Sequence, residues 1–198
     1  MDGTFAPTNA PTSSMPAFHD SAKPLKRFAG VLVADSPRKS ILLGLKNRGF
    51  GTGLWQHSFA GKIEKGETAE EAAVRELGEE AGIEVNASTD LDLVGVFYYE
   101  FLEPSPVPFL MEVTIYKIEV DKSEVAVTPS DEMTPEWFDL DLLPLKDMWP
   151  DNAHWLPSLF QRREEEGHAL PPTPWTAYFL YRDLRSVHSY SIKGRGQV

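Results

Sequence analysis

The run GKIEKGETAEEAAVRELGEEAGI, residues 61–83, predicts a helix with both ends marked by local chemistry, and its position between groups of strands is what most limits the fold. Thr68 followed by Glu71 forms a capping box and Gly82 before Ile83 is a glycine stop, so the helix spans residues 69–81. Ahead of it, FAGVLVAD (28–35) and ILLGLK (41–46) read as a strand pair joined by the turn SPRKS. After it, LDLVGVFYYEFL (91–102) and PFLMEVTIYKIEV (108–120) read as an antiparallel pair, separated by the proline-broken EPSPVP. PEWFDLDLLP supplies a further short strand, DNAHWLPSLFQRREEE a second helix with Pro157 close to its start, and WTAYFLYR a last strand. Strands on both sides of a central helix predict an α/β chain, with a mixed β-sheet sandwiched by helices.

With 198 residues, 41% of them hydrophobic, the chain buries one sizeable core. Residues 1–24 are rich in Pro, Thr, Ser and Ala without an apolar period, which predicts a disordered N-terminal extension. Residues 25–198 then form a single domain, its last residues, about ten, a flexible tail. The absence of cysteine removes disulfides, thiolate metal ligands and thiol nucleophiles, and leaves the redox compartment open. No apolar run reaches the ~18 residues of a membrane span, and no apolar core of a secretory signal stands near the N-terminus. The expectation is a monomeric cytoplasmic protein, with the nucleus as a second location. Mitochondrial import is disfavoured by an extension without arginine. A net charge of −11 argues against a nucleic-acid polymer or an anionic membrane as partner; a phosphate ligand would need cations in between.

Within residues 61–83, seven glutamates face three basic residues. At ~100° per residue, Val74, Leu77 and Ala81 form an inward stripe, whereas Glu76, Glu79 and Glu80 share an adjacent face with Ala69, Ala72 and Ala73. Like charges so placed cost the helix a few tenths of a kcal/mol per pair, about 0.2–0.5, and they also sit at the wrong end of its dipole. Something must offset the repulsion. One reading is a solvated charged face. The other is an oxygen-donor site for a hard divalent cation such as Mg²⁺, which bridges carboxylates to phosphates and lowers the pKa of a coordinated water. On these three residues alone the readings are evenly matched.

The wider spacing separates them. Gly61, Glu67, Arg75-Glu76-Leu77, Glu79-Glu80 and Gly82-Ile83 match every specified position of the Nudix box. Such a match arises by chance on the order of once in 10⁹ placements. The chain therefore resembles the Nudix hydrolases. The resemblance implies an α/β/α sandwich that hydrolyses nucleoside diphosphates linked to another moiety, using Mg²⁺ or Mn²⁺. It makes Glu76, Glu79 and Glu80 metal ligands, with Glu80 the general base. The Ala60 carbonyl becomes a backbone ligand, and Arg75 and Glu67 orienting partners.

GFGTGLW (49–55) and SDEMTPEWFDLDLLPLKDMWPDNAHW (130–155) resemble, more narrowly, the branch of the family that hydrolyses oxidised purine nucleoside triphosphates of the 8-oxo-dGTP and 2-oxo-dATP type to the monophosphate and pyrophosphate. By that resemblance Glu132 is a further metal ligand and Trp149 stacks on the purine. Asp151 and Asn152 meet the base edge, with Gln56 and His57 as further base contacts. Phe50, Tyr99, Met111 and Met133 line the pocket, and Lys46 and Lys62 sit near the substrate. The residue chemistry agrees, since a purine pocket needs an aromatic face and a few buried polar atoms, and DMWPDN offers both. Without the resemblance, Trp149 reads as core, Asp151 or Asn152 as a helix N-cap, and Asp131-Glu132 as a turn. The pocket apolars would then be core and the two lysines surface.

Four departures fall on the base-reading side. Asn152 replaces a second aspartate, and an amide has fixed donors and acceptors where a carboxyl does not. Gln56-His57 replaces a single asparagine, Gly30 a threonine and Ala60 a glycine. They leave two alternatives: a Nudix hydrolase of methylated or unmodified nucleotides, or a catalytically silent purine-nucleotide-binding module.

Overall fold

In a computed structural model the chain is described over residues 16–85, 91–160 and 174–194. Strand β1 (Leu25–Asp35) organises the sheet. Its Ala29, Val31 and Val33 join one core and Leu32 and Ala34 the other, all fully buried, as expected of a strand covered on both faces. One edge of β1 pairs in parallel with β6 (Leu110–Glu119) from Leu25 to Ala34. The other edge is divided, both partners antiparallel. β4 (Phe59–Lys62) takes Phe28–Val31, and β2 (Ser40–Lys46) takes Val33–Asp35. β2 continues outward to β3 (Trp55–Gln56) and β7 (Met133–Asp139). Beyond β6 lie β5 (Asp92–Phe101), β8 (Trp175–Asp183) and β9 (Ser186–Lys193), completing a mixed nine-stranded sheet.

Helix α1 (Ala69–Ala81) covers one face, with Ala72, Ala73, Leu77 and Ala81 buried in a core shared with Val31, Val33, Leu42 and Phe59. Both halves of the expected capping box are formed, and Gly82 closes the helix at φ 69°. α2 (Asn152–Phe160) covers the other face, burying Trp155 and Leu156 in the core that holds Phe97, Ile115 and Phe179. The α/β/α layering is the expected one. Among the described residues no helix is long and apolar enough to cross a membrane.

Several details differ from expectation. Val74 is only half-buried, and Glu80 joins the buried side of α1. The small alanines let the helix lie close to the sheet, so burial follows them rather than the bulkiest aliphatic. The glycine-rich stretch NRGFGTGLWQHSFAG (47–61), which reads as a loop leading to the central helix, contains β3 and most of β4, too short for alternation to show. β9 runs into the expected tail; it is an edge strand of mostly exposed residues, with no apolar pattern to reveal it. Pro157 falls inside α2, and residues 161–166 of the expected second helix lie outside the described residues. So do residues 1–15 of the expected extension. Pro16–Pro24, however, is placed against the sheet: Phe18 packs on Tyr98 and Tyr178, and the His19 and Asp20 N–H groups donate to the buried Glu100 carboxylate at 2.9 and 2.7 Å. A buried carboxylate requires donors, and this segment brings them.

Gly30 and Ala60 face each other across β1 and β4. A Cβ on Gly30 would collide with the Ala60 Cβ and stand 2.8 Å from the Phe59 carbonyl oxygen. The two departures are thus coupled: the space a Cβ at position 30 would need is taken by the Ala60 methyl on the neighbouring strand. Gly30→Thr should cost about 2 kcal/mol in urea unfolding, and adding Ala60→Gly should return at least half of it. Simple additivity of the two changes would contradict this coupling.

Candidate active site

A cavity of about 910 Å³ runs from α1, β2, β4 and the approach to β7 at one end to β5, β8 and the start of α2 at the other. Every candidate site residue taken from the sequence lines it, apart from Asn152 and the orienting Glu67.

The acidic end answers the repulsion problem with cations from the chain itself. Glu80, 4% exposed, accepts from Lys46 Nζ at 2.9 Å through Oε1 and from the Ala60 N–H at 3.0 Å through Oε2. Lys46 also donates to Glu132 Oε2 at 3.2 Å, and Arg48 holds the other Glu132 oxygen at 2.8 Å. Arg75 bonds both oxygens of Glu67 at 2.7 and 3.0 Å, Glu76 at 2.7 Å, Glu79 at 3.3 Å and the Lys62 carbonyl at 3.1 Å. Arg75 and Glu67 thereby lash α1 to the strand before it. Among the described residues no three acids converge into a ready-made ion cage, because Lys46 and Arg75 stand between them.

Burial pushes the Glu80 and Glu76 carboxyls above the usual range, with Lys46 and Arg75 respectively holding them back. Glu132, nearer solvent, is lowered by its bond from Lys46. Burial works against the Lys46 ammonium, yet Glu80 and Glu132 keep its pKa above the ordinary value. Gly61 permits the approach of Glu76, since a Cβ there would occupy the position of the Glu76 carboxylate. The donor set is one of hard oxygens only, which suits Mg²⁺ or Mn²⁺ and not a soft ion.

The other end is aromatic. Trp149, half-buried, donates from Nε1 to Gln56 Oε1 at 2.9 Å and lies 5.2 Å from the Phe50 ring. Gly51, at φ 84°, brings the loop so close that a Cβ would stand 2.9 Å from the indole. Met133 and Tyr99 serve both core and cavity, being 1% and 8% exposed. Met111 is half-buried, Phe50 is 43% exposed at the rim, and Lys62 is exposed. Asp151 is buried among donors: Tyr181 bonds Oδ1, and Trp155 Nε1 and Tyr99 OH bond Oδ2 at 2.9 and 3.4 Å. Burial lifts its carboxyl to about 6, the donors limiting the rise. His57 is buried edge-on against Trp155, and burial lowers it to about 4. Among the described residues neither of its ring nitrogens has a partner within hydrogen-bond geometry, although Asn152 stands beside it. Asn152, also fully buried, donates to the Trp149 carbonyl at 2.9 Å and stands behind the cavity wall, its Oδ1 without a partner among the described residues.

Sequence reasoning missed Tyr181, Phe101, Arg48 and Trp155. The first two follow from alternation along β8 and β5, and Trp155 from its i+4 relation to Asp151. Arg48 carried no signal.

A NUDIX domain is matched over residues 24–159. The chain is 40% identical over 163 residues to the oxidized purine nucleoside triphosphate hydrolase of Mus musculus, covering 82% of this chain and 91% of that protein. Among solved structures, the MutT protein from Bacillus halodurans superimposes with a TM-score of 0.61 at 23% identity, over 84% of this chain and 97% of that one. A bifunctional NMN adenylyltransferase/ADP ribose pyrophosphatase from Francisella tularensis, solved with AMP and a Mn ion, gives a TM-score of 0.51 at 21% identity, over 66% of this chain and 39% of that one.

The two shifted buried groups act oppositely on stability. From pH 6.5 down to about 4 the unfolded chain protonates His57 while the folded protein does not, so stability falls with pH. From about 6 down to 3.8 the folded protein binds a proton at Asp151 before the unfolded chain does, so that contribution rises. Each is worth about 3 kcal/mol across its window. Thermal unfolding between pH 7 and 4.5 should therefore show His57→Gln losing less stability on acidification than the wild type, and Asp151→Asn losing more.

Proposed function

The chain belongs to the NUDIX domain family, and from that membership we propose that it hydrolyses oxidised purine nucleoside triphosphates, of the 8-oxo-dGTP and 2-oxo-dATP type, to the monophosphate and pyrophosphate. The observation that carries the reading is one cavity with the complete box at one end and Trp149 with Asp151 at the other. The mouse relative, named for this activity, supports it.

The family uses a divalent metal; we assign Mg²⁺, with Mn²⁺ able to substitute. Glu76, Glu79, Glu80 and Glu132, with the Ala60 carbonyl, would hold it. When bound, such a cation neutralises phosphate charge and polarises the phosphoryl oxygens. The chain's own groups do the rest. Glu80 is the base that takes the proton of the attacking water, and burial, by raising its affinity for that proton, brings it nearer the working pH. Lys46 and Arg48 are cations beside the acids, placed to meet phosphate oxygens. Trp149 and Phe50 offer aromatic faces to the purine, while Gln56 and Asp151 offer polar atoms to its edge; the ring nitrogens of His57 are buried. Asn152 acts from behind, fixing the Trp149 backbone.

Pyrophosphate release with Mg²⁺ from 8-oxo-dGTP, 2-oxo-dATP, dGTP and O6-methyl-dGTP tests the proposal. The oxidised nucleotides should be turned over fastest. Chelation should stop the reaction, and Glu80→Gln should lower kcat at least ~100-fold without unfolding the protein. Near-normal turnover in that variant would sink the role of Glu80, and preference for dGTP would sink the substrate class.

A further inference from the structure

At its C-terminal end β5 carries the cavity on one face and the segment Pro16–Pro24 on the other. Tyr99 and Phe101 line the cavity, while Tyr98 packs on Phe18 and Glu100 takes the His19 and Asp20 N–H groups. This end of the strand is supported by the sheet along one edge only. β8 pairs with it through Phe101 and accepts the Leu102 N–H, but β6 pairs with it no further than Tyr99. A strand carbonyl past the end of its ladder needs another donor. The Phe101 carbonyl has Lys23, whose Nζ donates to it at 2.6 Å and reaches Glu103 Oε1 at 3.0 Å. The Lys23 side chain is only 8% exposed, so the bond is sheltered from water.

Lys23 hangs from a segment fixed on both sides. Ahead of it, Phe18 packs on Tyr98 and Tyr178 at 5.6 and 5.9 Å, and the Glu100 carboxylate that holds His19 and Asp20 also accepts from the Tyr178 hydroxyl at 2.7 Å. Behind it, the Pro24 carbonyl accepts the Leu110 N–H at 2.9 Å, and the chain runs on into β1. What Lys23 holds is the buried centre of the aromatic end. The Phe101 ring stacks on Tyr181 at 4.9 Å and meets Phe50 and Trp149 edge-on at 5.9 and 6.4 Å. Phe50 stands at the rim and Trp149 is half-buried, so both rest on a ring that is itself buried.

We propose that Lys23, in the N-terminal extension, is a positioning residue for the aromatic end of the cavity: by holding the Phe101 carbonyl it fixes the ring on which Phe50 and Trp149 rest, and so sets the affinity for the purine. This rests on the reading of that end as the purine pocket. Among the described residues the segment bonds to β5, β6, β8 and the loop after β5, and to none of α1, β2 and β4, which carry the acidic end. Lys23 therefore acts on binding and leaves the chemical step alone.

Steady-state hydrolysis by the full chain tests this, with whichever nucleotide of the panel above is turned over fastest. Lys23→Met keeps the aliphatic stem and loses the donor. It should raise KM about five- to tenfold and leave kcat within about twofold. Calorimetric affinity for the corresponding monophosphate should fall by the same factor. A purely structural role would instead lower the folded fraction, and with it the apparent kcat, at unchanged KM. Lys23→Arg, still a cation with donors, should bring KM back to within about threefold of the wild type. If Lys23→Met does not fold, Phe18→Leu, which loosens the segment from Tyr98 and Tyr178, should raise KM about twofold or more. An unchanged KM in the folded variants, or a fall in kcat alone, overturns the inference and leaves the proposed function standing. Preference for dGTP with the Lys23→Met effect on KM intact counts against the proposed substrate alone. A panel with no member hydrolysed or bound overturns both.

Discussion

A single buried carboxylate, Glu80, joins the elements that make the cavity. Through Lys46 it reaches β2, through the Ala60 N–H it reaches β4, and its own backbone belongs to α1. Lys46 in turn holds Glu132 at the approach to β7. Removing one member of such a buried pair leaves a charge without its partner, which costs more than the pair itself contributes. The last turns of α1 are therefore fixed by what they do to neighbouring strands rather than by helix propensity, and the glutamates stay close despite their repulsion. Arg75 does the same one face round, binding Glu67, Glu76 and Glu79 together with the Lys62 carbonyl.

The opposite end of the cavity is built on another principle. There the buried charge, Asp151, is stabilised by neutral donors from three elements, β5, β8 and α2, instead of by a cation. A carboxylate matched to neutral donors presents itself to a ligand as an acceptor, whereas one matched to lysine is exchangeable with another cation. Under the proposed function the two ends take different partners, a base edge at one and a polyphosphate with its counter-ion at the other.

Much of this was legible in the sequence because it is local. The capping box, the glycine stop and the spacing of Glu76, Glu79 and Glu80 all lie within one helix, where chemistry and neighbour relations follow from position. Trp149 and Asp151 were legible through the run that contains them. What escaped depends on pairing between distant segments. Lys46 reads as a surface lysine until β2 is laid beside α1, and Tyr181 reads as core until β8 is set parallel to β5. Glu100 gave no hint that Pro16–Pro24 would fold over it, because a single acid inside a strand carries no sign of burial. Gly30 and Ala60 looked like two independent departures, and only their register makes them one.

The central proposal is that the carboxylates around Lys46 and Arg75 form a divalent-cation site. It is tested most directly by thermal unfolding of the nucleotide-free protein across a Mg²⁺ titration. A site that binds only the folded state gains about 1.4 kcal/mol at ten times its dissociation constant, a rise of about 3 °C or more in Tm for a chain of this size. The account predicts such a saturable rise in the wild type and its loss in Glu80→Gln. A Tm indifferent to Mg²⁺ over the millimolar range, or an equal rise in both proteins, would contradict it.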